Sequence, residues 1–233
     1  MKCVALLLGG SLWLLAPAAG FLSAQQAGSP ETTVLFDGSN LDQWRGYHQE
    51  AIGQGWKIEG DELVFDGSGG GDIVTRRKFG DFVLDFEWAV SDGANSGVMY
   101  RVALGDNAPY LTGPEYQILD DQRHGDGKNK LTSAASLYGL YVPEGSQLKP
   151  AGQWNTARIV MSGDRVQHWL NGVKVVDAEI DSDDWDQRVA KSKFANWDGF
   201  GVNRSGHICL QDHGDPVRFR NMTIKAPSSA IID

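Results

Sequence analysis

The stretch GPEYQILDD, Gly113 to Asp121, sets a carboxylate, Glu115, two residues from an amide, Gln117, with apolar residues interleaved. Side chains of a strand alternate between its two faces, so Tyr116 and Ile118 turn toward a core and Glu115 and Gln117 turn away from it. The same parity can be followed elsewhere. In NSGVMYRV, Val98, Tyr100 and Val102 are expected inside, with Gly97, Met99 and Arg101 outside. In HICLQDHG, Ile208 and Leu210 go inward and His207, Cys209, Gln211 and His213 outward; in VRFRNMTI, Arg218 and Arg220 go outward. A solvated strand face is commonly Lys, Glu, Thr and Ser. Here it offers an acid, amides, imidazoles and guanidinium groups, side chains with fork or amide geometry that suit the hydroxyls of a sugar. If these strands share one curved sheet, the outward residues form a polar groove.

Strand-length runs separated by Gly, Asp and Asn clusters extend over the chain: TVLFDG, GWKIEGDELVFDG, GDIVTRRKF, DFVLDFEWAV, SGVMYRV, PEYQIL, AASLYGLYV, TARIVMS, RVQHWLNGVKVVDAEI, HICLQDHG and VRFRNMTI. Many short strands with such punctuation predict a β-sandwich or barrel. Asn171-Gly172 and Gly60-Asp61 each sit between apolar runs as hairpin turns. Only SDDWDQRVAKSKF reads as a helix, with Ser182 as its cap and Asp183 and Asp184 in the first turn. The chain shows no repeat, and one domain over Thr33 to Ala226 accounts for it, with residues 25–32 as a linker and 227–233 as a tail.

The first 24 residues pair Lys2 with a short apolar run and then small residues, the layout of a secretory signal peptide, which places the mature protein in the periplasm or outside the cell. Cys3 would leave with that segment, so Cys209 alone remains and no internal disulfide is expected. A formal net charge of -9 argues against nucleic acid or an anionic membrane as partner. DDQRHGDGKNK lacks the regular oxygen spacing of a calcium loop, and no zinc-type His or Cys spacing occurs.

VLFDGSNLDQW, GWKIEGDELVF, ANSGVMYRV, EYQILDD, WNTARIVMSGDRVQHWLNGV and ICLQDHGDPVRFRNMTIK, in this order, resemble the 3-keto-disaccharide hydrolase family over nearly all of Val34 to Lys225. The resemblance implies a concanavalin A-like β-sandwich, a jelly-roll, and an enzyme acting on glycosides oxidised at C3, as 3-keto-glycoside hydrolase or as 1,2-lyase and hydratase. A C3 ketone acidifies the C2 proton, so a base can form an enolate that expels the C1 substituent, and water then adds. Such chemistry needs a base near C2, a donor or cation at the C3 oxygen, and an acid for the departing oxygen. Carried onto this chain, the resemblance makes Glu115 and His213 the base and acid pair, and Arg101 and Gln117 the groups holding the C3 oxygen or neighbouring hydroxyls. Asn95, Gln211 and Asp120 complete the groove, and Trp44, Trp56 and Tyr138 are candidates to stack on a pyranose ring. Asp120 lies an odd interval from Glu115 and shares its face only through a bulge or the strand end. The cofactor stays open: a divalent metal is chemically sensible but its ligands are unassigned, and no nucleotide cofactor is expected. The partner is an oligosaccharide or glycoside substrate, with a sugar 3-oxidoreductase needed to supply it. Two other readings stand beside this one, a carbohydrate-binding jelly-roll module without catalysis and a conventional glycosidase with two flanking carboxylates.

Overall fold

The structure is a computed structural model that describes residues 30–105 and 108–233; the signal segment and most of the expected linker lie outside the described residues. In chain order the strands are β1 (Pro30–Phe36), β2 (Trp44–Gly46), β3 (Trp56–Glu59), β4 (Glu62–Phe65) and β5 (Ile73–Thr75). They continue as β6 (Lys78–Phe79), β7 (Phe82–Val90), β8 (Asn95–Val102), β9 (Glu115–Leu119) and β10 (Asn155–Ser162). The last are β11 (Arg165–Leu170), β12 (Val173–Glu179), β13 (His207–Leu210), β14 (Val217–Pro227) and β15 (Ile231–Ile232).

Eight of these form one antiparallel sheet, in the order β12-β11-β10-β7-β14-β4-β3 with β1 also on β14, and five form a second, β2-β5-β13-β8-β9. The inner faces meet over a core that includes Phe86, Trp88 and Phe219 from the larger sheet and Val98, Tyr100, Tyr116 and Ile208 from the smaller. The all-β sandwich expected from the strand count is the architecture found. Both hairpins also form as expected: Asn171 and Gly172 turn β11 into β12 with φ of 49° and 82°, the left-handed conformation that an Asn-Gly pair adopts readily. The one α-helix, α1 (Asp183–Ala190), starts at Ser182, whose hydroxyl accepts the Trp185 N–H at 3.2 Å.

Three expectations change. AASLYGLYV is not a strand of either sheet: Ala135 to Tyr138 runs along the free edge of β9 through backbone bonds and an isolated bridge, Tyr116 to Leu137. Residues expected as linker and tail are built into the fold, because Pro30, Glu31 and Thr32 pair with β14 in the larger sheet and Ile231 and Ile232 pair with β6 in a separate two-stranded sheet. And β14 belongs to the larger sheet, so Arg218 and Arg220 face outward from the opposite side of the molecule, bonded to Glu62 and Glu87.

Two tyrosines fix the strands that carry the site. Tyr100 on β8 meets His168 of β11 at 3.1 Å, and Tyr116 on β9 donates to the Trp169 carbonyl at 3.2 Å. A buried hydroxyl must find a partner, so these bonds tie β8 and β9 to the larger sheet at set positions. Burial holds His168 well below the ordinary histidine range, at about 4, which keeps it a neutral bridge.

Candidate active site

The outer face of the smaller sheet is built on register. Gly97 of β8 stands opposite Gln117 of β9, Met99 stands opposite Glu115, and on the other side Cys209 of β13 pairs with Met99. Gln211 continues that row, its N–H donating to the Gly97 carbonyl at 3.0 Å. Gly97 therefore lies between Gln211 and Gln117 and has no side chain to separate them. A Cβ on Gly97 would collide with Oε1 of Glu115, so the carboxyl leans over this glycine and uses the space its missing side chain leaves.

A cavity opens above this floor, with about 470 Å³ of empty space including its mouth, lined by Asn95, Tyr110, Glu115, Gln117, Tyr138, Lys193, Gln211 and His213. Six of the expected residues meet there. Gln117 donates to Asn95 Oδ1 at 3.1 Å, while its own Oε1 and that of Gln211 are buried without a partner among the described residues, two acceptors placed for donors from a ligand. His213 is half exposed at the rim, 3.9 Å from Asp215 and facing the His124 ring edge-on at 6.4 Å.

Tyr110, Lys193, Gly97 and Asp72 were not among the expected residues. Tyr110 comes from a single 3-10 turn, Pro109–Leu111, and packs near Trp197 at 5.6 Å. Lys193 opens another such turn, Lys193–Asn196, just beyond α1. Its ammonium lies 4.3 Å from the centre of the Tyr138 ring, with the Phe194 and Trp197 rings at 5.4 and 5.9 Å. No strand parity points to either turn; only the fold brings them over β9.

The electrostatics centre on Glu115. Burial raises its carboxyl to about 8, against the pull of Lys193 and with help from the charges of Asp72 and Asp126. No hydrogen bond contributes to that shift, so the carboxyl is set by desolvation and through-space charge. Asp72, just before β5, is itself raised to about 6, chiefly by burial and despite accepting the Asp212 N–H at 2.8 Å. Burial lowers the Lys193 ammonium while Glu115 and Asp126 raise it. Burial, with Asp126 and Glu115, pushes the Tyr138 hydroxyl up to about 12. A partly desolvated acid and a cation thus look into one cavity walled by amides.

Arg101 and Asp120 are not there. On β8, Val102 pairs with His207 but Met99 pairs with Cys209, so Tyr100 and Arg101 together stand opposite Ile208. This is a β-bulge, with Arg101 at φ 54°. The extra residue reverses parity: Val102 joins Tyr47, Val74, Met99 and Cys209 in an apolar cluster on the outer side, and Arg101 is buried, donating to the Gly163 carbonyl at 2.7 Å. Asp120 follows the end of β9 and is 3% exposed. Burial alone would raise it, but N–H groups of Gly93 at 2.8 Å and Gln122 at 3.1 Å hold it below the usual range; it closes a turn. Trp44 and Trp56 are core residues, bonded through Nε1 to Leu35 and Gly71 carbonyls. Among the described residues, no three His, Cys, Asp or Glu side chains converge to hold a metal ion.

Residues 31–225 match a family described as the 3-keto-alpha-glucoside-1,2-lyase-like domain. The chain belongs to this family. A 3-keto-disaccharide hydrolase of Bacteroides thetaiotaomicron is 35% identical over 223 residues, covering 82% of this chain and 77% of that protein. A Parabacteroides distasonis crystal structure, provisionally named a glycosyl hydrolase, superposes with a TM-score of 0.78 at 32% identity, covering 83% of this chain and 93% of that one. A Bacillus subtilis protein of unknown function with a galectin-like fold shares the fold alone, with a TM-score of 0.54 at 11% identity over 89% of this chain and 98% of that one. This member of the 3-keto-alpha-glucoside-1,2-lyase-like family is a carbohydrate-active enzyme on a jelly-roll sandwich.

Proposed function

We propose that this enzyme cleaves 3-keto-glycosides by elimination and hydration. The observation that carries the reading is the Glu115 carboxyl, set over Gly97 in a polar cavity and raised by burial to about 8. In its ionised form such a group is a stronger base than an exposed carboxylate, and it suits removal of the C2 proton beside a ketone. The electron pair forms an enolate on the C3 oxygen, then returns as the C1–O bond breaks, and the departing oxygen takes a proton from His213. Water next adds at C1 with His213 accepting its proton, and Glu115 returns its proton to C2. The sum is one glycoside plus one water giving a free 3-keto sugar and an alcohol, with both residues restored. Gln117, Gln211 and Asn95 hold the hydroxyls, and Tyr110 and Tyr138 flank the ring.

A conventional glycosidase works with two carboxylates across the scissile bond, whereas Glu115 is the one carboxylate among the lining residues. The protein is exported by its leader, and a sugar 3-oxidoreductase supplies its substrate. The test is aglycone release from a 3-keto-glucoside and from its unoxidised parent, with the wild type and Glu115→Gln. Release from the keto form alone, lost in the variant, is the expected result; release from the parent would overturn the proposal.

A further inference from the structure

Elimination through an enolate calls for a donor or cation at the C3 oxygen, and with Arg101 inside the sandwich the place of the expected cation there is left to be filled. We propose that Lys193 fills it, its ammonium holding the C3 carbonyl oxygen and the negative charge that develops there when Glu115 removes the C2 proton. This rests on the reading just given.

The argument is geometric. Lys193 lines the same cavity as Glu115. Each group acts on the other's charge, yet among the described residues neither hydrogen bond nor ion pair engages the ammonium, so its donors are free for a ligand. What holds it is aromatic: the Tyr138 ring lies at 4.3 Å and the Phe194 and Trp197 rings lie behind. These rings are themselves fixed. Tyr138 donates its N–H to the Glu115 carbonyl at 3.0 Å, and Phe194 stacks on Phe200 at 4.0 Å. Phe194 also sits against Gly139, where a Cβ would come within 3.1 Å of its ring. Base and cation therefore both line the cavity, with a gap between them rather than a salt bridge. A ring carbon and its neighbouring carbonyl oxygen can fill that gap, with the proton facing Glu115 and the oxygen facing Lys193. A charge placed in advance where the transition state becomes negative stabilises that state more than the neutral ketone.

The experiment compares wild type, Lys193→Met and Lys193→Arg on one 3-keto-glucoside, following aglycone release and, by NMR in heavy water, exchange of the C2 hydrogen. The expected result is a kcat about 10²-fold lower in Lys193→Met with KM changed by less than about threefold, and C2 exchange slowed in parallel. Lys193→Arg should keep more of the rate than Lys193→Met. Because Lys193 opens a surface turn and the residue retains solvent exposure, the variants should fold, and Lys193→Cys gives an independent check. Aminoethylation of that thiol restores an ammonium, and Cys209 is too buried to compete. Recovery of exchange after aminoethylation supports the assignment. A Lys193→Met enzyme within about threefold of wild-type kcat, or one in which only KM rises, overturns the Lys193 role and leaves the elimination reading standing. A wild type that neither releases aglycone nor exchanges the C2 hydrogen takes down both.

Discussion

At the scale of the residue, the Glu115 carboxyl is both the base of the proposed reaction and a cost in stability. With its carboxyl at about 8, the base form grows as pH rises, so kcat/KM should climb through that value in a pH profile. The same shift carries a sign for stability. A carboxyl whose folded value exceeds its unfolded value of 4.5 binds more protons when folded, so its contribution falls between pH 4.5 and about 8. Glu115→Gln should therefore abolish turnover while gaining stability over wild type across that window, by roughly 2–4 kcal/mol at its upper end, as read by thermal unfolding against pH. Asp72 adjusts this value from outside the cavity lining. Because its charge raises Glu115, Asp72→Asn should move the inflection of kcat/KM to lower pH, and Lys193→Met should move it to higher pH. A profile that ignores both substitutions would assign the inflection to another group.

At the scale of the element, the site depends on the register of three strands and on one missing side chain. Gly97 is needed for space rather than for an unusual φ, since its Cβ would occupy the position of the Glu115 carboxyl oxygen. Gly97→Ala should cost about 1–3 kcal/mol of stability and at least 10²-fold in kcat, roughly the loss expected when a general base is displaced. Retained kcat would show that the carboxyl need not lie over β8. The bulge at Tyr100 and Arg101 is equally local in cause and wider in effect. It turns Arg101 inward, carries Val102 to the outer cluster, and lets β8 leave the site toward Gly206, where a Cβ would run into the Arg101 backbone.

At the scale of the whole molecule, two sheets with different exposed faces divide the work. The larger sheet presents ion-paired arginines such as Arg158 with Asp85, and the smaller presents the cavity beneath turns that follow β8, β9 and α1. The formal net charge of -9 surrounds a cavity whose lining includes a single lysine. Substrates bearing an anionic aglycone should thus be disfavoured at low ionic strength. Their kcat/KM should rise as salt is added from about 10 to 150 mM, while that of a neutral 3-keto-glucoside stays level. Equal salt dependence for the two would mean that the global field does not reach the cavity.

Parity placed Glu115, Gln117, Gln211 and His213 on one outer face, because alternation along a strand is a property of the chain itself and survives wherever the strand stays regular, whereas Asn95 and Tyr138 entered through the family resemblance. Strand count, hairpin turns and the Ser182 cap were legible for the same reason, each being written within a few neighbouring residues. Arg101 failed at the point where regularity ended, since a bulge depends on how β13 approaches β8. Asp120 failed because β9 stops one residue before it, and its partners, Gly93 among them, arrive from another turn. Lys193, Tyr110 and Asp72 had no signal to read: they come from separate segments, and Lys193 and Tyr110 reach the cavity, and the Asp72 charge reaches Glu115, only once the two sheets have closed and the turns lie across the smaller one.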